Sequence, residues 1–281
     1  MSGALSGTGA LLTGGGSGIG LGAARHLVRD GATVTLFGRN PDRLDAGAAS
    51  IRDDALAGAE VRTVVGDTST EDDVRRAVEA AADGQGLHWA VLSAGTGTMA
   101  PVVATTIEEW ERVLATNLTG AFLAMKHAGA AVAGAGGGSI VAISSIAAPL
   151  THPYMAPYSV SKAGLETLVR NAADELGRAG VRVNAVRPGL VRTALADPLL
   201  SDEAVLADYL AQMPISRVGT VDDIGAAVRF LCGPESTWIT GQVLGVDGGH
   251  SLRRGPDIEH WARALFGDDV VDLRPATELE G

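Results

Sequence analysis

The pentapeptide YSVSK sets Tyr158 and Lys162 four residues apart, a spacing that puts two side chains on one face of a helix. A free phenol ionises near pH 10, about three units too high for a base at neutral pH. A neighbouring ammonium favours the phenolate and lowers that value. Ser145, at the end of the apolar run before this helix, offers a hydroxyl that could hold the same substrate oxygen. Together these groups describe proton transfer at an oxygen atom. A Y-x-x-x-K also occurs as a plain surface pair on a helix, so the reading depends on what else the chain carries.

The second motif is TGGGSGIG, from Thr13 to Gly20, with five glycines in eight residues. Glycine loses more conformational freedom on folding than any other residue, so such density points to a close approach. The loop lies between an apolar strand pattern, GALLTG, and a helical one, IGLGAARHLVRDG. A glycine-rich strand-to-helix turn can hold phosphate on free N–H groups at the positive end of the helix. A bland turn and the methyl-donor site of a methyltransferase also fit the loop taken alone. Its spacing is not G-x-G-x-x-G, and without a Lys before the helix it is not a P-loop.

These residues need a scaffold, and the rest of the chain describes one. Apolar, β-branched runs (TVTLFG, EVRTVVGD, HWAVLSAG, GSIVAISS, VRVNAVRPG, QVLGVDGG) alternate with amphipathic helical patterns. Helix starts are marked by Ser69 or Thr70 before STEDDVRRAVEAA and by a capping box of Thr106 and Glu109. Long helices are expected near 107–133 and 157–179. Alternation of this kind implies a parallel sheet of about seven strands, covered on both faces. No repeat, linker or low-complexity tract interrupts it, so residues 1–250 read as one domain.

The chain of 281 residues has 22 basic and 33 acidic side chains, a formal charge of −11. That balance argues against nucleic acid or an anionic membrane as partner. The lone cysteine, Cys232, excludes an intrachain disulfide and a cysteine-based metal site, and reads as an inert buried thiol; no metal site is expected. The N-terminus shows no signal-peptide pattern and no apolar run approaches a membrane span, so the expectation is a cytoplasmic protein.

The ordered motifs resemble the short-chain dehydrogenase/reductase family over nearly the whole chain. T-G-x-x-x-G-x-G matches Thr13 to Gly20, the helix Asn matches Asn117 in LATNLTGAF, and the Ser thirteen residues before the Tyr matches Ser145. Y-x-x-x-K matches Tyr158 and Lys162, P-G-x-x-x-T matches Pro188, Gly189 and Thr193, and the acidic residue after the third strand matches Asp67. One departure is Ser93 in LSAG, where the family has an Asn that braces the sheet; a local change in hydrogen bonding is expected there.

The resemblance implies a Rossmann-type doubly wound α/β fold and an NAD(P)(H)-dependent oxidoreductase that interconverts a ketone and a secondary alcohol. It implies Tyr158 as general acid or base, Lys162 lowering the Tyr value and binding the nicotinamide ribose, Ser145 orienting the carbonyl, and Asn117 holding a water that links Lys162 to solvent. Cofactor contact is implied for Gly14, Gly16, Ser17, Gly18, Ile19 and Gly20 in the first turn, and for Asp67 and Thr68 after the third strand. The same holds for Ala94 and Gly95 after the fourth strand, and for Pro188, Gly189, Val191 and Thr193 after the sixth. Gly15 and Gly16 read otherwise as tolerated flexibility. A homotetramer, or a homodimer, built on the two long helices is also implied. The alternative is a non-catalytic dinucleotide-binding redox sensor.

After the second strand stands Gly38 and then Arg39. An Arg there can pair with a 2′-phosphate, which favours NADP(H) over NAD(H); stacking on adenine or pointing to solvent are the other uses of Arg39. Ser17 stands where some NADP-using relatives carry a second basic residue. Residues 194–216, with Leu195, Leu199, Leu200, Leu206, Tyr209, Leu210 and Met213, occupy the place of a substrate lid. Leu150, His152, Tyr154 and Met155 add to it. This suggests an apolar, medium-sized or steroid-like small-molecule substrate, though such residues serve simple helix packing as well. Residues 251–281 extend past the family's usual end. Ile258, Trp261, Leu265 and Phe266 are expected on one helical face, packed on the core or covering a substrate pocket of its own or a neighbouring subunit.

Overall fold

The computed structural model describes residues 3–253, 255 and 258–273. Its strands are β1 (Gly9–Thr13), β2 (Thr33–Gly38), β3 (Val61–Val65), β4 (Leu87–Leu92), β5 (Gly138–Ile143), β6 (Val181–Pro188) and β7 (Val243–Val246). Between them run α1 (Gly18–Arg29), α2 (Pro41–Arg52), α3 (Glu71–Ala82), α4 (Ile107–Leu114), α5 (Gly120–Gly134) and α6 (Ala156–Leu176). Beyond β6 come α7 (Asp197–Ser201), α8 (Glu203–Gln212) and α9 (Val221–Cys232), and beyond β7 come α10 (Glu259–Phe266) and α11 (Asp268–Val271).

All strand pairs are parallel, in the order β3-β2-β1-β4-β5-β6-β7. The chain winds outward from β1 in one direction, then restarts at β4 in the other. The two strands that part company at this reversal leave a crevice beyond their C-terminal ends, where ligands of open α/β sheets bind.

Alternation within each strand explains why both faces are covered. On β1, Leu11 belongs to one apolar layer while Ala10 and Leu12 belong to the other. On β5, Ile140 and Ala142 face the first layer and Val141 the second. The first layer is closed by Val74 and Ala77 of α3, Met125 and Ala128 of α5, and Leu165 and Val169 of α6. The second is closed by Leu27 and Val28 of α1, Leu44 and Ile51 of α2, and Ile224 and Leu231 of α9. Cys232 lies fully buried in that second layer, and burial pushes its thiol up to about 12. The thiol is buried, as expected.

Three local expectations change. The long helix after Thr106 is interrupted by a π-helical turn over Ala115–Thr119, between α4 and α5. Thr106 caps Glu109 N, but Glu109 turns its carboxylate to Arg112 rather than back to the cap. Thr70 precedes α3 without a side-chain cap; Asp67 uses Ser69 instead, and Asp73 reaches back to Asp67 N at 2.9 Å. No described helix is long and apolar enough to cross a membrane.

A buried ion pair ties the strand ends to α6. Glu166, nearly inaccessible, takes Arg187 Nε at 2.9 Å and Nη2 at 2.7 Å, and the Ser144 hydroxyl at 2.7 Å. It thereby joins the ends of β5 and β6 to the helix that carries Tyr158 and Lys162. Removing one partner of such a pair strands the other charge. Glu166→Ala is expected to lower stability by about 3 kcal/mol, read as a reduced urea midpoint; a loss under 1 kcal/mol, about the worth of an exposed pair, would show the pair to be solvent-screened.

Candidate active site

The crevice is a cavity of about 730 Å³ that runs from the start of α1, across the ends of β4, β5 and β6, to α7, α8 and α10. Its volume lies in the range of small-molecule sites. Its floor is built by backbone that must pass closely. Gly14 and Gly18 have φ of +63° and +55°, values that side chains disfavour. A Cβ on Gly14 would stand 2.9 Å from Ala94 backbone atoms, so the loops after β1 and β4 touch main chain to main chain. The Thr13 hydroxyl accepts from Ser93 N and Ala94 N, both at 3.1 Å. Both bonds are made by backbone N–H groups and do not depend on the Ser93 side chain.

Gly15 and Gly16 are not spare flexibility. A Cβ on Gly15 would lie 2.8 Å from Leu12 O and 3.1 Å from Leu36 Cα, and one on Gly16 would lie 3.2 Å from the Arg43 backbone. The loop is wedged between β2 and the start of α2. Ser17 precedes α1 without a side-chain cap, and both Ser17 and Arg43 line the cavity. Arg43 was not legible as a site residue, because only the packing of α2 on this loop brings it there. Arg39 is largely exposed and stands 3.8 Å from Asp67. Gly20 lies under the turn, where a Cβ would meet Gly14 O at 2.5 Å, and Thr68 is buried under Gly120.

At the other end Ser145, Tyr158 and Lys162 converge, together with Gly95, Pro188, Gly189, Val191 and Thr193. Lys162 is buried, and its Nζ donates to Ile143 O at 2.8 Å and stands 5.7 Å from the Tyr158 ring centre. Burial lowers its ammonium from 10.5 to about 8. Enclosure likewise pushes the Tyr158 phenol up from its ordinary value, and the Ser145 hydroxyl draws it partly back. The shift is thus opposite to the depression expected from Lys162: desolvation raises the phenol, and the group that lowers it is the Ser145 hydroxyl.

Asn117 sits in the π turn, a device that recurs at functional sites. Its Nδ2 donates to Thr96 O at 3.0 Å and Ser161 Oγ at 3.1 Å, and its Oδ1 accepts from Thr96 N at 2.8 Å. Both amide N–H groups are thus committed to clamping the loop after β4 onto α6; only a lone pair of Oδ1 is left for the water expected there. Ser161 in turn donates to Tyr158 O at 2.7 Å.

Part of the 194–216 segment lines the substrate end. Leu195, Leu199 and Tyr209 line it, with His152 and Met155. Leu206 and Leu210 pack on the cluster of Val205, Tyr209 and Met213 beneath. Burial lowers the His152 value, and Leu150 O holds its Nδ1 at 3.1 Å. The tail turns a different face inward from the one expected: Ile258 and Ala262 are buried and Trp261 is half-buried, while Leu265 is 65% exposed. Its end, residues 274–281, lies outside the described residues.

These features fit a nicotinamide dinucleotide. Gly18 and Gly95 have no protein atom within 3.4 Å of where a Cβ would stand, so at both a side chain would project into the cavity, one at a helix N-terminus suited to phosphate and one beside Lys162. When bound, the dinucleotide supplies the hydride chemistry. The chain places two hydroxyls, Ser145 and Tyr158, and the Lys162 ammonium together on the cavity wall, a set that could hold an oxygen and move its proton. Among the described residues no cluster of His, Cys, Asp and Glu could hold a metal.

Fold and site define a dinucleotide-dependent oxidoreductase of CH–OH and carbonyl groups. The family model described as enoyl-(acyl carrier protein) reductase matches residues 14–251. A short-chain type dehydrogenase/reductase from Mycobacterium ulcerans is 39% identical, with a TM-score of 0.92 over 97% of this chain and 99% of its own. The cis-4-hydroxycyclohexanecarboxylate dehydrogenase of Sinomonas cyclohexanicum is 36% identical over 86% of this chain and 96% of its own. A gluconate 5-dehydrogenase from Burkholderia cenocepacia J2315, in complex with NADP and tartrate, is 31% identical, with a TM-score of 0.83 over 89% of this chain and 97% of its own. The chain belongs to the short-chain dehydrogenase/reductase family and is an NAD(P)-dependent dehydrogenase acting on CH–OH groups.

The Lys162 value carries a testable consequence. Folded Lys162 titrates at about 8 and its ordinary value is 10.5. Between these limits the unfolded chain binds more protons, so the contribution of this group to stability rises with pH. Measured against Lys162→Met, the wild type should gain up to about 3 kcal/mol of unfolding free energy between pH 8 and pH 10.5. Urea titrations across that range check it; a pH-independent difference would show that the ammonium is hydrated.

Proposed function

We propose that the protein interconverts an apolar ketone and its secondary alcohol, of ring-like, medium or steroid-like size, with NADP(H) preferred over NAD(H). The observation that carries the substrate reading is the charge of the cavity wall. Its described lining has Arg43 at the α1 end and Lys162 behind Tyr158, and no other Lys or Arg. His152, with its lowered value, is neutral at pH 7. The wall beyond Tyr158 is made of Met99, Ile146, Met155, Leu199, Tyr209 and Trp261. A carboxylate or phosphate on the substrate would lose its hydration there with no cation in exchange.

In this reading Ser145 and Tyr158 hold the substrate oxygen and Tyr158 gives or takes its proton. Lys162, with a value near neutrality, keeps positive charge behind the phenol and recharges it. Arg43 lines the α1 end of the cavity and Arg39, just after β2, is largely exposed; the two support a 2′-phosphate as the group they receive. Phe122 on α5 and Val160 on α6 are 47% and 46% exposed, which supports a homotetramer in which paired long helices cover them.

A panel of ketones with NADPH tests the substrate. Cyclic apolar ketones are expected to exceed small charged keto acids in kcat/KM by at least about a hundredfold, the cost of a buried unpaired charge. The reverse preference would overturn the reading. Arg39→Ala should lower kcat/KM for NADPH by about ten- to a hundredfold, the worth of a hydrogen bond to a charged group, and leave NADH nearly unchanged. Equal losses with both would show that Arg39 does not read the phosphate.

A further inference from the structure

The segment after β7 is tied to both ends of α8. At the start of α8, Asp202 is the N-cap, its Oδ1 accepting from Val205 N at 3.0 Å. The other oxygen, Oδ2, accepts from Trp261 Nε1 and lies 3.0 Å from His260 Nε2, both on α10. These donors hold the Asp202 carboxyl well below the usual carboxylate range, the Val205 N–H foremost. At the far end, the Arg253 guanidinium donates to Ala211 O. Between the two ties the Tyr209 ring of α8 meets the His250 ring edge-on, 5.3 Å between centres.

Two side chains of the strap reach the cavity. Ile258 is 2% exposed, and it and Trp261 join Leu199 and Tyr209 in its wall. The wall thus combines side chains of the lid with side chains of the tail, and one carboxylate holds both. Were Asp202 to release Trp261, the lid helix would lose its clasp and the cavity one wall together.

We propose that the C-terminal segment is a specificity element of its own subunit: Trp261 and Ile258 form the distal wall that limits substrate size, and Asp202 is the positioning residue that clasps this wall to α8. The proposal rests on the apolar-ketone reading above. The wall favours compact rings, alicyclic or aryl, that stack on the indole, and it shuts out larger fused-ring ketones from the steroid-like end of that range.

The test compares wild type with Trp261→Ala, Trp261→Phe and Asp202→Asn on cyclohexanone, 2-decalone and a steroid 3-ketone. Trp261→Ala should raise the ratio of kcat/KM for the steroid over that for cyclohexanone by about tenfold or more, the scale on which an apolar pocket discriminates. Trp261→Phe keeps a ring in the wall and should move the ratio less. Asp202→Asn keeps a good cap but weakens the charge-assisted bonds, and should shift the ratio in the same direction as Trp261→Ala. Hydrogen exchange supplies a second readout that needs no turnover. The amides of 203–212 should exchange faster in Asp202→Asn and Trp261→Ala, while those of β4 and β5 do not change. An unaltered size ratio in Trp261→Ala overturns the wall, and unaltered exchange overturns the clasp. Absence of turnover on all three ketones overturns the substrate reading instead, and the exchange result still decides the clasp.

Discussion

The site depends on a lysine ammonium held out of water, with no carboxylate among the described residues paired to it. Lys162 donates to the carbonyl that ends β5, and the burial that lowers its proton affinity is a cost the rest of the structure must cover. The neighbouring elements are arranged around that requirement. A Cβ on Gly95 would stand 3.7 Å from Nζ, so the loop after β4 passes directly beside the ammonium. Asn117 and Ser161 fasten the same loop to α6, and Glu166 with Arg187 fastens α6 to the ends of β5 and β6. A lysine with a value of about 8 exchanges protons near neutral pH, which a hydrated one does not. The energetic strain of the site and its competence for proton transfer have the same origin.

The dinucleotide end uses a different device. It has few side chains to offer, and its specificity is one of clearance. Four consecutive positions, Thr13 to Gly16, are pressed against β2, the loop after β4 and the start of α2. The α1 N-terminus is thereby set facing the crevice where the strand order reverses, and partial positive charge is aimed without any ionised group. An overall charge of −11 does not oppose this, because the local field at a helix end falls off within about a turn.

Much of this was legible in the residues because the signals are local. Short, mostly apolar and β-branched strand runs report burial on both faces, and Tyr158, Lys162 and Ser145 report a chemistry by type and spacing. The features that escaped depend on contacts distant in sequence. The helix through Asn117 is apolar on a continuous 3.6 period, and nothing in that period marks a π turn; the turn is set by what Asn117 must reach, Thr96 and Ser161. The direction of the Tyr158 shift was misjudged from its own helix, because it is set by enclosure and by the Ser145 hydroxyl, both supplied by other parts of the chain. The inward face of α10 was misjudged in part for a similar reason: Ile258 is buried as expected, but the buried position within the helix is Ala262, which carries little hydropathy, and Leu265 is exposed.

The two ends of the cavity therefore differ in how freely they can change. Around Gly14, Ala94 and Lys162 the contacts are between backbones or to buried polar groups, and almost any substitution leaves a clash or an unsatisfied atom. Beyond Tyr158 the wall is made of side chains from loops after the strands and from the short helices α7, α8 and α10. A change of Leu199, Met155 or Trp261 alters volume there without disturbing a strand or the Lys162 carbonyl. A fold built this way keeps one hydride and proton chemistry while its substrate varies. The tail extends that freedom, because it adds wall residues from a part of the chain that bears no load in the sheet.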